Sequence, residues 1–252
     1  MLEVKNVFLN FDGLQAVDNV SLKIEKGTVT AIIGPNGAGK TTLFNIIAGV
    51  YAPDSGNIYI DDIDITGKKT YDICNHGITR TYQVIKLFNG MSVLDNVLVG
   101  MHKNLKLSFW QDIFRTKKMR ETEKKAIEKA RNLLKLVNLH EYENYISNSL
   151  SYGQQRLLEI ARALASDPKI ILLDEPAAGM NSKEKIDLSN MIKEIIKMGI
   201  TVLIVEHDMD LVMNIADKIF VINSGKNLAS GTPEEVANNK DVIEAYLGGG
   251  IN

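Results

Sequence analysis

The run GPNGAGKTT, Gly34 to Thr42, matches the spacing G-x-x-x-x-G-K-[ST]. Glycines at Gly34, Gly37 and Gly39 let successive backbone N–H groups turn inward on phosphate oxygens with no Cβ in the way. Lys40 supplies positive charge for the β- and γ-phosphates, and Thr41 offers a hydroxyl to Mg2+. The whole run (Gly34, Pro35, Asn36, Gly37, Ala38, Gly39, Lys40, Thr41 and Thr42) reads as a phosphate cradle.

Further along, IILLDEP ends an apolar run on two carboxylates. Asp174 is placed to hold Mg2+, and Glu175 to orient and deprotonate a water attacking the γ-phosphate. Alone, such a pair would read as the cap of a strand; beside a phosphate cradle the catalytic reading wins. His207 closes the next apolar run, LIVEHD, where a strand end suits a γ-phosphate contact. Phe11, in NFDG, offers an aromatic face to an adenine ring, the alternative being an ordinary strand-end phenylalanine. Gln83, in RTYQ, lies where the chain passes into a helical stretch, and by itself it reads as a surface amide. LSYGQQ, Leu150 to Gln155, is a second Ser/Gly turn opening a helix, which is again an anion-binding geometry. One cradle does not need two.

These groups require a sheet edge to gather on. LEVKNVFLNF and NVSLKIEKG alternate as half-buried strands, and VTAIIG runs as a buried strand into the glycine loop and the helix TTLFNIIAGV. NIYIDDIDI is expected to be one further alternating strand. From about Val84 to Lys135 helical spacing takes over, in MSVLDNVLVGM and ETEKKAIEKARNLLKLV. The last third alternates again: IILLD, SKEKIDLSNMIKEIIKMG closed by Gly199, ITVLIVEHD, MDLVMNIAD, KIFVINSG and GTPEEV, with Thr232 as N-cap. Apolar strands separated by helices predict a parallel sheet covered on both faces, with ligands at its carboxyl edge.

Composition sets the outer limits. The 252 residues are 45% hydrophobic and 24% charged, with net charge −2, which gives no global electrostatic case for nucleic acid. Between Lys103 and Arg131 stand ten Lys/Arg and four Asp/Glu, a solvated helix face or else a docking surface. FWQDIF within it is expected to pack that lobe together. The single cysteine, Cys74, excludes an internal disulfide and fits a reducing, cytosolic compartment. No apolar run approaches the roughly 18 residues of a membrane span.

The order GPNGAGKTT, Gln83, LSYGQQRLLEIARAL, IILLDEP, AAGMN, His207 resembles the ATP-binding subunit of ABC transporters, nearly end to end. RTYQ, DEPAAGMN, VEHDM and GTPEEVANNKDVIEAYLG look like the branched-chain amino acid importers among them. The resemblance implies a single ABC ATP-binding domain over 1–252. Its fold would be α/β: a P-loop core with a mainly parallel sheet, an N-terminal antiparallel β subdomain, and a helical lobe at about 84–160. It implies ATP and Mg2+, with Gln83 reaching the metal and the attacking water. It also answers the second turn. Ser151, Gly153 and Gln154 would face the γ-phosphate held by a second cassette, homo- or heterodimeric and head to tail. The helical lobe would meet permease subunits at the cytoplasmic face of the cell membrane. Two positions depart from the family pattern: Tyr152 stands where a second glycine is usual, and Asn181 replaces an aspartate. A cassette for urea, amides or lipopolysaccharide, or a non-transport relative acting on nucleic acid, stays as the alternative.

Overall fold

The computed structural model describes residues 1–102 and 117–247; FWQDIF and the start of the basic stretch lie outside them. Two compact units form. The first comprises Met1–Arg80, Lys169–Ala178 and the chain from Ile192 on, and the second the described residues of Thr81–Pro168 with Gly179–Met191.

In the first unit β1 (Leu2–Phe11) and β2 (Leu14–Ile24) pair antiparallel across a two-residue turn. Asp12 and Gly13 both take positive φ there, as a hairpin of matching twist needs. β4 (Ser55–Ile60) pairs with β1, and β5 (Ile63–Asp64) with β4, in the order β2-β1-β4-β5. The single strand expected over NIYIDDIDI is therefore a hairpin. Asp61 and Asp62, at φ 46° and 65°, reverse the chain, because short acidic side chains tolerate the left-handed region.

The second sheet follows the order β10-β9-β3-β8-β7-β6. Its strands are β3 (Val29–Ile33), β6 (Ile78–Arg80), β7 (Ile170–Asp174), β8 (Thr201–Val205), β9 (Lys218–Asn223) and β10 (Lys226–Gly231). All neighbours are parallel except β10 against β9. VTAII, IILLD and TVLIV are buried at every position, as strands covered on both faces must be. Helix α1 (Lys40–Ile47) buries Leu43, Phe44, Ile46 and Ile47 in a core shared with β1, β2, β4 and the parallel strands. Truncating one such side chain to alanine costs about 2–5 kcal/mol. A short α2 (Thr70–Asn75) precedes β6.

The second unit is helical: α3 (Val93–Gly100), α4 (Lys117–Leu136), α5 (Tyr152–Leu164) and the start of α6 (Ser182–Lys197). α3 and α5 touch closely, since a Cβ on Gly100 would stand 2.1 Å from the Arg162 carbonyl oxygen. The first unit closes with α7 (Met209–Ile215), α8 (Pro233–Ala237) and α9 (Lys240–Leu247). Thr232 caps α8 in a reciprocal box with Glu235. No helix among the described residues is long and apolar enough to cross a membrane.

Candidate active site

The buried strand β3 ends at Ile33, and the chain then makes the glycine loop before α1 begins at Lys40. Two loop glycines are dictated by neighbouring backbone. A Cβ on Gly34 (φ 152°) would meet the Ile222 carbonyl oxygen at 2.0 Å, and one on Gly39 (φ 97°) the Ala16 carbonyl oxygen at 2.4 Å. The Gly225 N–H donates to the Ala38 carbonyl at 3.0 Å, bracing the loop from the turn after β9. Lys40 lies along the loop, its ammonium donating to the carbonyls of Gly34 (2.7 Å) and Pro35 (2.8 Å). Burial pushes this lysine below its usual value, and the negative charge of Glu175 partly offsets that.

A cavity of about 470 Å³ opens beside the loop. Gly37, Ala38, Gly39, Lys40, Thr41 and Thr42 line one side, and Phe11, Leu14, Gln15, Ala16, Ser224 and Gly225 the other. Phe11 is 40% exposed, and its ring meets that of Tyr51 edge-on at 5.2 Å. The N-terminus of α1 adds the partial positive charge of a helix end.

Asp174 ends β7 fully buried, with Oδ2 accepting from Arg80 Nη2 at 2.7 Å. Glu175 follows at φ 46°, an uncommon backbone for a glutamate and of the sort stored at working sites. Its N–H donates to the Val205 carbonyl at 2.9 Å. His207 stands exposed just past β8, where the buried carboxylate of Glu206 accepts from its N–H at 3.0 Å. Glu206 also accepts from the N–H groups of Ala177 (2.8 Å) and Asp208 (3.2 Å), tying together the chain after β7 and the chain after β8.

The first unit therefore holds Phe11, the loop, Asp174, Glu175 and His207; Gln83 and the LSYGQQ turn belong to the second. There Ser151 caps α5 in a reciprocal box, with Gln154 N–H donating to its Oγ at 3.3 Å and Ser151 N–H to Gln154 Oε1 at 3.0 Å. A hydroxyl that accepts still keeps its proton to donate. The Tyr152 ring folds back along α5, its hydroxyl 3.3 Å from Arg156 Nη2. Asn181 caps α6: its Oδ1 accepts from Glu184 N–H, and Glu184 Oε2 from Asn181 N–H. Amide and carboxylate can both serve as that cap.

Arg80 in RTYQ, Glu206 in VEHDM and Ser224–Gly225 at the end of KIFVINSG lie inside the motifs without a role read for them, and Tyr51 lies outside them. Glu206 gave one signal, a charge directly after the uninterrupted apolar run TVLIV. Tyr246 of α9 gave none, yet its phenol lies against the Gly34 backbone, and partial burial raises its pKa.

The ABC transporter family model matches residues 17–178, and a model of the branched-chain amino acid ATP-binding cassette transporters matches 226–251. The high-affinity branched-chain amino acid transport ATP-binding protein BraF of Pseudomonas aeruginosa is 47% identical over 98% of each chain. The ADP conformation of an ATP-binding cassette of an ABC transporter superposes with TM-score 0.84 at 36% identity, covering 98% of each chain. A dimeric bacterial ABC transporter cassette gives TM-score 0.79 at 27% identity over 92% of this chain and 99% of that one. A phosphate loop, strand-end carboxylates and matches over this length have one reading: the chain belongs to the ATP-binding cassettes of ABC transporters.

Proposed function

We propose that the chain is the ATP-hydrolysing subunit that powers an ABC importer, with branched-chain amino acids as its cargo. The observation that carries the enzymatic reading is the cavity shared by the phosphate loop and Phe11, with Glu175 close enough to act electrostatically on Lys40. Cargo rests on the Pseudomonas aeruginosa relative and the C-terminal family model.

ATP would lay its adenine on Phe11 and its phosphates along Gly34 to Thr42. The Thr41 hydroxyl and the Asp174 carboxylate are oxygen donors, the set a small hard cation takes, and with Gln83 they would hold Mg2+. Bound there, the ion would supply charge neutralisation for the phosphate oxygens. Glu175 takes the proton of the attacking water, and His207 holds the γ-phosphate. Ser151, Gly153 and Gln154, at a capped helix N-terminus, are offered to the nucleotide of a second cassette. Phe88, Met91, Tyr145 and Ile146 are exposed apolar side chains in the second unit, gathered where Ser92 bridges Ile146. They would take a permease segment, making the chain a peripheral subunit at the cytoplasmic face of the cell membrane.

The test is complementation. Lys40→Met and Ser151→Arg chains are each expected to be inactive alone. Mixed, they are expected to regain ATPase activity, because a head-to-tail heterodimer has one intact site. A mixture as inactive as its components would sink the shared-site reading.

A further inference from the structure

Helix α5 carries a buried ion pair. Arg156 and Glu159 are 0% and 1% exposed, with Nη1 of one 3.2 Å from Oε2 of the other. Taking two charges out of water is costly, and an apolar pair of similar volume commonly packs as well or better. Nor is this pair tuned for stability, since Arg156 Nε is buried with no acceptor among the described residues.

The guanidinium is spent on backbone. Nη1 donates to the Tyr82 carbonyl at 2.5 Å and Nη2 to the Gln83 carbonyl at 2.7 Å. Glu159 grips the same segment, its Oε1 accepting from the Tyr82 N–H at 3.4 Å. Two consecutive peptide groups are thus held by a rigid fork and its counter-charge. A lysine, which is a single point donor, cannot reproduce that. The helix making this grip is the one that Ser151 caps, with Arg156 in its second turn.

We propose that Arg156 and Glu159 are a positioning pair that fixes the Gln83 backbone to α5, so that a shift at the Ser151 turn carries Gln83 with it. The proposal rests on the assignment of Gln83 to Mg2+ and the attacking water. Its action is on kcat, with nucleotide affinity unaffected.

The experiment measures steady-state ATPase activity at saturating Mg-ATP, binding of a fluorescent ATP analogue, and melting temperature on the full chain. The variants are Gln83→Ala, Arg156→Lys, both together, and the apolar double Arg156→Met/Glu159→Leu. Misplacing a reacting group by about 1 Å costs about a hundredfold. Gln83→Ala and Arg156→Lys are each expected to lose about that much in kcat with unchanged analogue affinity, and together little more than either alone. The apolar double is expected to melt like wild type yet show the same low kcat, which a merely structural pair would not do. Wild-type kcat in Arg156→Lys or the apolar double, while Gln83→Ala is slow, overturns the positioning role alone. Wild-type kcat in Gln83→Ala removes the assignment of Gln83 itself, and the proposal falls with it.

Discussion

Arg80 Nη2 lies 2.7 Å from Asp174 Oδ2, and both side chains are buried. The same guanidinium donates Nη1 to Asn45 Oδ1 at 2.5 Å and lies over the Phe44 ring at 5.2 Å. An arginine at the end of β6 thus holds the carboxylate at the end of β7 to the helix that follows the phosphate loop.

Removing one partner of a buried pair strands the other charge, at a cost of about 3–5 kcal/mol. Arg80→Met is expected to lose about that much stability in urea unfolding. Mg2+ with ATP, by bringing a cation to Asp174, is expected to narrow the gap between variant and wild type. A gap that stays constant from the nucleotide-free chain to Mg-ATP would place the cation elsewhere.

Glu175 carries the second prediction. Glu175→Gln keeps the shape of the side chain and removes its basicity. Phosphate release is expected to fall by at least about a hundredfold, while ATP still binds and an ATP-dependent dimer accumulates on size-exclusion chromatography. Hydrolysis at the wild-type rate would take the general-base role away from this residue.

Contiguous patterns were legible in the sequence: the glycine loop between strand and helix, the carboxylate pair at a strand end and the capped helix starts each lie within a few residues. The alternation of apolar strands and helices also yielded the sheet. What escaped was long-range. Arg80 meets Asp174 only after folding, and no local pattern distinguishes it from a surface arginine; the charge of Glu206 closes an apolar run, but nothing nearby in the sequence points to Ala177 as its partner. Arg156 did leave a trace. Gly153, Arg156, Ile160 and Ala163 share the buried face of α5, so a charge stood at a core position. NIYIDDIDI misled because its alternation continues through the two aspartates that break it.

Phe11 lines the cavity beside the phosphate loop and is backed edge-on by Tyr51. Phe11→Ala is expected to weaken ATP binding by about tenfold, the upper end for one aromatic pair. Phe11→Trp is expected to preserve it, and kcat at saturation should not move in either. Calorimetric titration with ATP reads this directly; unaltered affinity in Phe11→Ala would return Phe11 to the rank of a strand-end aromatic.

At Gly153, in the first turn of α5, an added Cβ would stand 2.5 Å from Glu184 Oε1. That carboxylate is pinned by its bond from Asn181 N–H. Gly153→Ala is expected to cost about 1–3 kcal/mol from overpacking. In a Glu184→Ala background the obstacle is gone, and the same change is expected to stabilise by about 0.5–1 kcal/mol, as glycine to alanine does in a helix. Thermal unfolding of the four chains measures the reversal. Equal signs in both backgrounds would mean that something other than Glu184 excludes the methyl group.

Glu159 makes stability depend on pH in a definite direction. Burial raises its carboxyl above the ordinary value of 4.5, and the attraction of Arg156 opposes but does not cancel this. A raised carboxyl binds protons more readily in the folded chain than in the unfolded one. Its favourable contribution is therefore complete below the unfolded value and is lost as pH rises through the folded one. Glu159→Gln cannot titrate. The unfolding free energy of the variant minus that of wild type is thus expected to grow as pH rises from about 4.5 and to level off above the raised value. Urea unfolding at half-unit steps between pH 4 and 8, roughly the span in which a shifted carboxyl titrates, gives the slope. A difference that shrinks over this window would mean that Arg156 outweighs burial and holds the carboxyl below its ordinary range.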